Sequence, residues 1–596
     1  MEDKKFHLGI CMAGAITAGS YTAGVIDYLL ETLARWQEQK DKNIEAKKNN
    51  QPLPFPDVPM YDVVIDVISG ASAGGMCAAI TTAMLAEGIN YKDLAAGKSK
   101  MRQAWIDLDD GDVAEGTIKK MLETDDLEKD GLVSLLNAKV LSSISDKAIL
   151  PLNKAIFPTY VDKNLDTILT LANLRGVQYD INFKSAGEDR KHSMSLHKDF
   201  MHFRHDSAAD DQSDFLSLSF SNPDDIDLLR KSAVATGAFP IGLRSRHLSR
   251  SKNYVKNKAD RTVGLAQAIE NKTNVKVESI TCDEEIYESM NIDGGTFNNE
   301  PFGEAERILN DKAKKKKDED IGFETTNRSI LMIDPFPCIE KKEPDDETNS
   351  TINYIVPRVI GALRAQSSFK TSDIIDAYSD NNYLKYLITP TKNKLPAFLC
   401  CSTLEAFGGF LYKDFREYDY QLGKRNAQRF LQKYFTLKYF PNDNTKNNPI
   451  HQNWSANAIS DYKYEEAPGG QLYLPIIPDV QKKYLKLERV HITNKYPLSK
   501  LRELEKPLKA RIRALISQAE TLTSAKKKKE DTQVAKDWFK QNGIVRFLNS
   551  VGYIIAWPFT KIIIRIAKRR VAKTMYVSCI KWIINDLERA ELLKED

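Results

Sequence analysis

The sequence predicts an α/β protein: a three-layer α/β/α sandwich with a mainly parallel central sheet, followed by a C-terminal helical region. Three observations predict it. Val63-Val-Ile-Asp-Val-Ile68 is a β-branched run of the kind that forms a strand buried on both faces. It ends abruptly in Gly70-Ala-Ser-Ala-Gly74, and small residues continue through Ala79 as the start of a helix. Phe6–Met12 is a second strand, followed by the small-residue loop Ala13–Gly19 and a helix from about Ser20, with Val25, Ile26, Leu29, Leu30, Leu33 and Trp36 at helical spacing. Met290–Asp293 and Ser329–Asp334 are further strand ends, the first closed by Gly294-Gly295 and the second by Pro335. Two consecutive βα units place their loops at one sheet edge, where open α/β sheets bind ligands.

The 596 residues are 42% hydrophobic and 28% charged, enough for a large core under an ordinary polar surface. Seven cysteines (11, 77, 282, 338, 400, 401 and 579) form no CxxC pair and no regular framework, which predicts free thiols in a reducing, cytoplasmic setting. No signal-like apolar segment opens the chain, and no charge-free apolar run is long enough to span a membrane. The net charge of +4 is unevenly placed. Residues 501–596 hold 21 Lys+Arg against 11 Asp+Glu, and the preceding 500 residues carry −6. A basic tail on a mildly acidic body follows.

In chain order, 38–60 is charged and then Pro-rich, and is predicted as a surface connection. Residues 77–176 are predicted mostly helical, including Ile118–Leu122, Leu132–Leu141 and Leu165–Leu174. Tyr179–Phe183 and Phe215–Phe220 are predicted strands. His192, His197, His202 and His205 lie between them at spacings that fit no common zinc set, and are predicted as exposed residues of a polar hairpin. A short helix ends at Thr236-Gly237 ahead of Pro240. Residues 250–285 are predicted irregular, 302–310 helical and Lys314–Lys317 solvated loop. Residues 352–389 are predicted to be an amphipathic helix and 440–480 a loop-like insertion. The domain boundaries read as 1–440 (core 6–340), 441–500 and 501–596.

Gly70-Ala-Ser72-Ala-Gly74 is the G-x-S-x-G pattern of a nucleophile elbow. A serine there sits on a sharp turn with its hydroxyl exposed, and the glycines let strand and helix approach closely. The helix N-terminus beneath it favours developing negative charge. The loop Gly14–Gly19 lacks both the dinucleotide spacing and the Gly-Lys-Ser/Thr of a phosphate loop. Its backbone N–H groups make a ready anion cradle. A serine needs a base. His451 and His491 are candidates, and so is Asp293, whose two following glycines allow a tight turn toward the elbow.

Taken in order, Gly14–Gly19, Gly70–Gly74, Ala233–Pro240 and Asp293-Gly294-Gly295 resemble the patatin-like phospholipases over about residues 6–340. The resemblance implies a Ser–Asp dyad, with Ser72 as nucleophile and Asp293 as base. It implies an oxyanion hole around Gly14, Ala15 and Ile16, with Gly19, Gly70, Gly74, Gly294 and Gly295 supporting the turns. It implies a lipid or phospholipid substrate and no metal or organic cofactor. One departure is clear: the family's G-G-G-x-R/K-G loop is here Gly14-Ala15-Ile16-Thr17-Ala18-Gly19. Ala18 replaces the basic residue, and Arg244 and Arg246 are the candidates to supply positive charge or contact a head group. An inactive scaffold that works by membrane or partner binding, or a Ser–Asp–His esterase using His491, are the rival readings.

Residues 544–573 carry seven basic and no acidic residues among dense apolar and aromatic ones. They fit an interfacial helix for anionic lipid, hence peripheral membrane association, or equally a helical hairpin packed on the body with its lysines reaching solvent. No nucleic-acid recognition module is visible, and nucleic acid is not an expected partner.

Overall fold

The computed structural model describes residues 5–108, 116–185, 188–262, 277–278, 285–315, 322–336, 383–392, 395–465, 467–480, 490–492, 494–519, 521 and 572–594. The fold is α/β, built on one ten-stranded sheet. Its strands are β1 (Lys5–Met12), β2 (Asp62–Gly70), β3 (Val161–Ser185), β4 (Glu188–His205), β5 (Leu216–Leu218), β6 (Arg246–Ser251), β7 (Val277–Glu278), β8 (Ile286–Asp293), β9 (Arg328–Ile333) and β10 (Lys385–Ile388). The path is β10-β9-β1-β2-β3-β4-β5, with β7 and β8 also paired to β3, and β6 to β8. From β10 to β3 every pairing is parallel. The partners of β3 on its far reach, β4, β7 and β8, are antiparallel.

The pleat sends alternate residues to opposite faces. On one face Ile10, Ile68 and Leu169 join the main core with helices α1 (Gly19–Lys48) and α2 (Ala73–Glu87). On the other, Cys11, Val67 and Ile168 pack with Phe302, Ala305, Ile308 and Leu309 of the helix Phe302–Lys312. Helices therefore cover both faces, which is why β1, β2 and β9 read as mostly apolar runs.

Several expectations change. Leu165–Leu174 is strand, not helix, because it lies mid-sheet and buries Leu165, Ile168, Leu169, Leu171 and Ala172 toward both faces. A short apolar run of that kind carries no period that separates helix from strand. Within Leu132–Leu141, helix begins only at Lys139. Residues 38–48 continue α1, burying Lys40, Asn43 and Ala46 at helical spacing from Trp36. Asn43 fixes the Pro-rich return by donating to Phe55 O (2.6 Å) and accepting from Phe55 N–H (2.9 Å). The strand Arg246–Ser251 runs into the stretch expected to be irregular, and Lys252–Thr262 within it is a helix. Lys385–Ile388 pairs with β9 rather than ending a helix, and 352–382 lies outside the described residues. So do 316–317 of the lysine run.

The expected loop at 440–480 contains a helix, Ala456–Tyr462, and contributes to a small antiparallel sheet of Thr436–Tyr439, Leu472–Pro475 and Tyr464–Glu465. It is tied to the body: Tyr61 Oη–H donates to Ile476 O (2.7 Å) and Tyr28 Oη–H to Asp479 Oδ2 (2.8 Å). Beyond 500, residues 505–519 and 572–589 are helical. Arg511 is buried and pairs with Asp126, anchoring the first of these helices. Of the proposed interfacial stretch, 544–571 lies outside the described residues. Among the described residues no helix is long and apolar enough to cross a membrane.

α1 crosses the helix Lys413–Lys433 at a pair of glycines. A Cβ at Gly24 would overlap Tyr420 O, and one at Gly423 would overlap Tyr21 O. The contact is closed by Tyr420 Oη–H donating to Asp27 Oδ2 (2.6 Å) and Tyr21 Oη–H to Asn426 Oδ1 (3.0 Å).

The histidine window is a hairpin, but His202 is not exposed. It is fully buried, 2.6 Å from Asp166 Oδ1. Arg204 Nε–H donates to the same oxygen (2.8 Å), and Lys312 Nζ lies 3.0 Å from Oδ2. Burial would raise the Asp166 carboxyl, but His202, Lys312 and Arg204 outweigh it and lower it to about 2. Because the folded pKa is depressed, this carboxylate stabilises the fold fully above its unfolded value of about 4, and the contribution is lost as pH falls through about 2. Asp166→Asn is thus expected to cost about 2 kcal/mol at pH 6. Urea midpoints of the variant and the wild type should converge as pH drops from 4 toward 2. A difference independent of pH in that window would contradict the assignment.

Candidate active site

The elbow is visible in the backbone. Ser72 lies two residues past the end of β2 with φ 52° and ψ −126°, and α2 begins at the next residue. A non-glycine residue in such a conformation costs about 1–3 kcal/mol and is kept only where its surroundings fix it. Those surroundings are specific. A Cβ on Gly70 would overlap Gly74 O, and one on Gly74 would overlap Met12 O. The two glycines of G-x-S-x-G are therefore there for close approach, of strand to helix and of helix to β1. Ala71 N–H donates to Met12 O (3.1 Å), and Ser72 N–H donates to Thr236 Oγ1 (3.0 Å).

Sheet register brings Asp293 to the serine. β2 ends with Gly70 beside Leu169 of β3. β8 runs antiparallel to β3 and ends with Asp293 beside Leu171. The last residues of β2 and β8 thus approach each other along one strand. Ser72 Oγ–H donates to Asp293 Oδ2 at 2.6 Å, and the two residues are 3% and 4% exposed. The other carboxylate oxygen is held from behind, because Gly295 N–H donates to Asp293 Oδ1 (2.7 Å). Gly294 lies against the backbone of Thr170, leaving no room for a Cβ. Asp293 N–H donates to Ala238 O (2.9 Å). The small-residue block at the end of helix Pro223–Thr236 is therefore a bracket: Thr236 holds Ser72, and Ala238 holds Asp293.

The loop Gly14–Ile16 lies next to the serine. A Cβ on Gly14 would sit 2.9 Å from Ser72 Cβ, so glycine is required there. Ala15 has φ −150° and ψ 12°, and Ile16 has φ 45°. The turn closes with Ala18 N–H donating to Ala15 O (2.9 Å). No protein acceptor among the described residues takes the N–H groups of Gly14, Ala15 or Ile16. Together with the open N–H groups at the start of α2 they are donors beside Ser72. Asn299 borders the same space. It is buried, its Oδ1 has no partner among the described residues, and its amide donates to Glu300 Oε1 (2.6 Å). Asp334 closes β9 at this sheet edge, where burial pushes its carboxyl up to about 6 despite a hydrogen bond from Phe336 N–H.

Two candidate sets are not brought to the site. Arg244 pairs with Asp130, and Arg246 donates to Ser142 Oγ (3.1 Å) and Ala138 O (3.4 Å). Both are thus engaged by the helical segments 125–148 rather than by the loop Gly14–Gly19. The sequence gives no hint of this, since their partners lie about 100 residues away. His451 is buried against Trp454, bonded to Pro475 O (3.0 Å), and its pKa is lowered to about 4 by burial. His491 is exposed. Neither histidine contacts Ser72 or Asp293. Thr236 and Thr17 are contributors that sequence reading missed. The signal for Thr236 was its place in the small-residue block. Thr17 carries none, because its partners are near residue 400.

No family model matches the chain. It is similar to "Uncharacterized protein y4iI" of Sinorhizobium fredii (strain NBRC 101917 / NGR234), with 28% identity over 476 residues. The match covers 72% of this chain, and the chain spans 65% of that relative's length.

Proposed function

We propose that the protein is a serine lipid acyl hydrolase of the patatin-like phospholipase type, cleaving acyl esters of phospholipids or lysophospholipids through the Ser72–Asp293 dyad. The observation that carries this reading is the 2.6 Å hydrogen bond from Ser72 Oγ to Asp293 Oδ2 on a strained elbow. A serine merely packed at a turn needs neither the strain nor a carboxylate oxygen within hydrogen-bond reach. The four stretches that resemble the patatin-like family all border this pair, which supports the family reading. The two histidines proposed as bases lie elsewhere, His451 bonded to Pro475 O and His491 exposed, which favours the dyad over a Ser–Asp–His triad. Exposed apolar residues, Ile241 after the bracket and Phe297 after Asp293-Gly-Gly, suit an acyl substrate.

In the first half-reaction, Ser72 Oγ attacks the ester carbonyl carbon as its proton passes to Asp293 Oδ2. Negative charge develops on the carbonyl oxygen and is met by the N–H groups of Gly14–Ile16. Collapse of the tetrahedral intermediate breaks the bond to the leaving alcohol, which takes the proton from Asp293. In the second half, water gives a proton to Asp293 and attacks the acyl-enzyme carbonyl. The acid is released, and the proton returns to Ser72. Gly295 N–H on Oδ1 keeps Oδ2 aimed at the serine throughout.

The deciding experiment incubates the protein with vesicles of mixed phospholipid extract and identifies products by mass spectrometry, with Ser72→Ala as the blank. Free fatty acid and lysolipid are expected from the wild type alone. Equal product from Ser72→Ala, or none from either protein across neutral and anionic lipids, would reject the reading.

A further inference from the structure

We propose that Thr17 and Asp586 are positioning residues of the oxyanion loop, joined in one relay that runs from the C-terminal helix to the N–H groups beside Ser72. The catalytic consequence rests on the dyad reading above, whereas the relay itself rests on geometry alone.

The loop needs an external hold. Ile16 is β-branched and sits at φ 45°, a backbone region that such residues leave unless their neighbours fix them. The next residue supplies the fixing. Thr17 is 2% exposed. Its hydroxyl donates to Ala406 O (2.6 Å) and accepts from Gly409 N–H (3.0 Å), and its carbonyl accepts from Ser20 Oγ–H (3.1 Å). A Cβ on Gly409 would lie 2.6 Å from Thr17 Cβ, so the two segments are in direct contact.

The partner segment is held in the same way. Leu404, Glu405 and Ala406 have φ of 54°, 53° and 72°. Three consecutive non-glycine residues in the left-handed region do not persist unaided. This run is what turns the Ala406 carbonyl toward Thr17. At its head, Leu404 N–H donates to Asp586 Oδ2 (2.6 Å), a charge-assisted bond from the helix 572–589. That helix is itself fastened. Leu587 and Leu592 are buried, Leu593 pairs with Tyr496, and Tyr496 N–H donates to Leu592 O (2.8 Å). The order of contacts is Asp586, Leu404, Ala406, Thr17, Ile16. Each contact holds a backbone conformation that has a lower-energy alternative at negative φ. Without the carboxylate the left-handed run relaxes, the Ala406 carbonyl turns away, Thr17 keeps only its longer bond to Cys401 O (3.3 Å), and Ile16 is free to leave φ 45°. The donors of Gly14–Ile16 then no longer converge beside Ser72. The altered loop sequence fits this account: it has traded the family's flexible glycines for residues that are locked from outside.

The test uses the full chain and the variants Asp586→Ala, Thr17→Val and Thr17→Ser. Hydrogen exchange is followed in peptides covering residues 13–21, where Ala18 N–H reports the turn through its bond to Ala15 O. Ester turnover and affinity for a long-chain trifluoromethyl ketone, which forms an oxyanion on Ser72, are measured alongside. Exchange at 13–21 is expected to quicken at least about 10-fold in Asp586→Ala and Thr17→Val; kcat and ketone affinity fall together on the order of 10–100-fold, while KM moves less than about 3-fold. Thr17→Ser, which keeps the hydroxyl, should match the wild type in all of these. Asp586 is only half-buried on a surface helix, so its variant keeps the test available if Thr17→Val does not fold. Wild-type exchange rates at 13–21 in Asp586→Ala overturn the relay. A wild type that neither hydrolyses esters nor takes up the ketone overturns the dyad reading instead, and exchange still decides the relay.

Discussion

Asp293→Asn is expected to lower kcat for ester hydrolysis by about 10³-fold or more, with the fold and substrate affinity nearly intact. Two physical facts set that size. The Ser72 hydroxyl gives up its proton only to a group aimed at it, and the described structure offers one, Asp293 Oδ2 at 2.6 Å. An amide in its place keeps the volume but accepts no proton, and it presents either a carbonyl or an NH2 to the serine. The support behind the carboxylate survives when the carbonyl oxygen takes the Oδ1 position, since Gly295 N–H then still finds its acceptor. The variant should therefore melt within a few degrees of the wild type and keep its KM. A residual rate within about 10-fold of wild type would mean that another group takes the proton. Asp334 at the same edge would then be the next residue to replace, its carboxyl already pushed up to about 6 by burial.

Gly24→Ala is expected to destabilise the protein by about 3 kcal/mol although it adds one methyl group and improves helix propensity. The obstacle is backbone. The new Cβ would overlap Tyr420 O and lie 2.9 Å from Tyr420 C and 3.0 Å from Lys424 N. A side chain can rotate away, but a helix backbone has to move as a body. Moving it strains the bonds that close the crossing, Tyr420 to Asp27 and Tyr21 to Asn426. The propensity gain of about 1 kcal/mol offsets only part of this. Gly423→Ala should cost a similar amount, and the double variant much less than the sum, because one displacement makes room for both methyl groups. Urea midpoints of the four proteins read this directly. A midpoint for Gly24→Ala at or above the wild type would show that the helices separate at little cost.

How much of this was legible in the sequence depends on how local its cause is. The elbow, the loop and Asp293-Gly-Gly are legible because a sharp turn needs small residues beside it in the chain, and Gly70, Gly74 and Gly294 record those close approaches. β1, β2 and β9 are legible because burial on both faces leaves mostly apolar runs, which His7 and Asp66 interrupt as a pair. The same property hides β3: Leu165–Leu174 is apolar without a period, and only its neighbours in the sheet make it a strand. The polar end of α1 is hidden because Lys40 and Asn43 are buried through bonds to residues 55–62. The bracket was seen as a helix end but not as a bracket, since Thr236 and Ala238 acquire that role only through partners 164 and 55 residues away. The partners of Arg244 and Arg246 are hidden for the same reason: a charge shows in sequence, its partner does not.

The bonds that α1 and its entry loop make with the far part of the chain also set a clock. Thr17 meets Ala406 across 389 residues, and Tyr28 meets Asp479 across 451. At about 5–20 residues per second, synthesis takes on the order of 20–80 s to cover the first of these spans. For most of that time β1, β2 and the elbow are already outside the ribosome, but the support of their loop is not yet made. A chain built in this order leaves Ser72 without its full setting until the segments around residues 406 and 479 have been made.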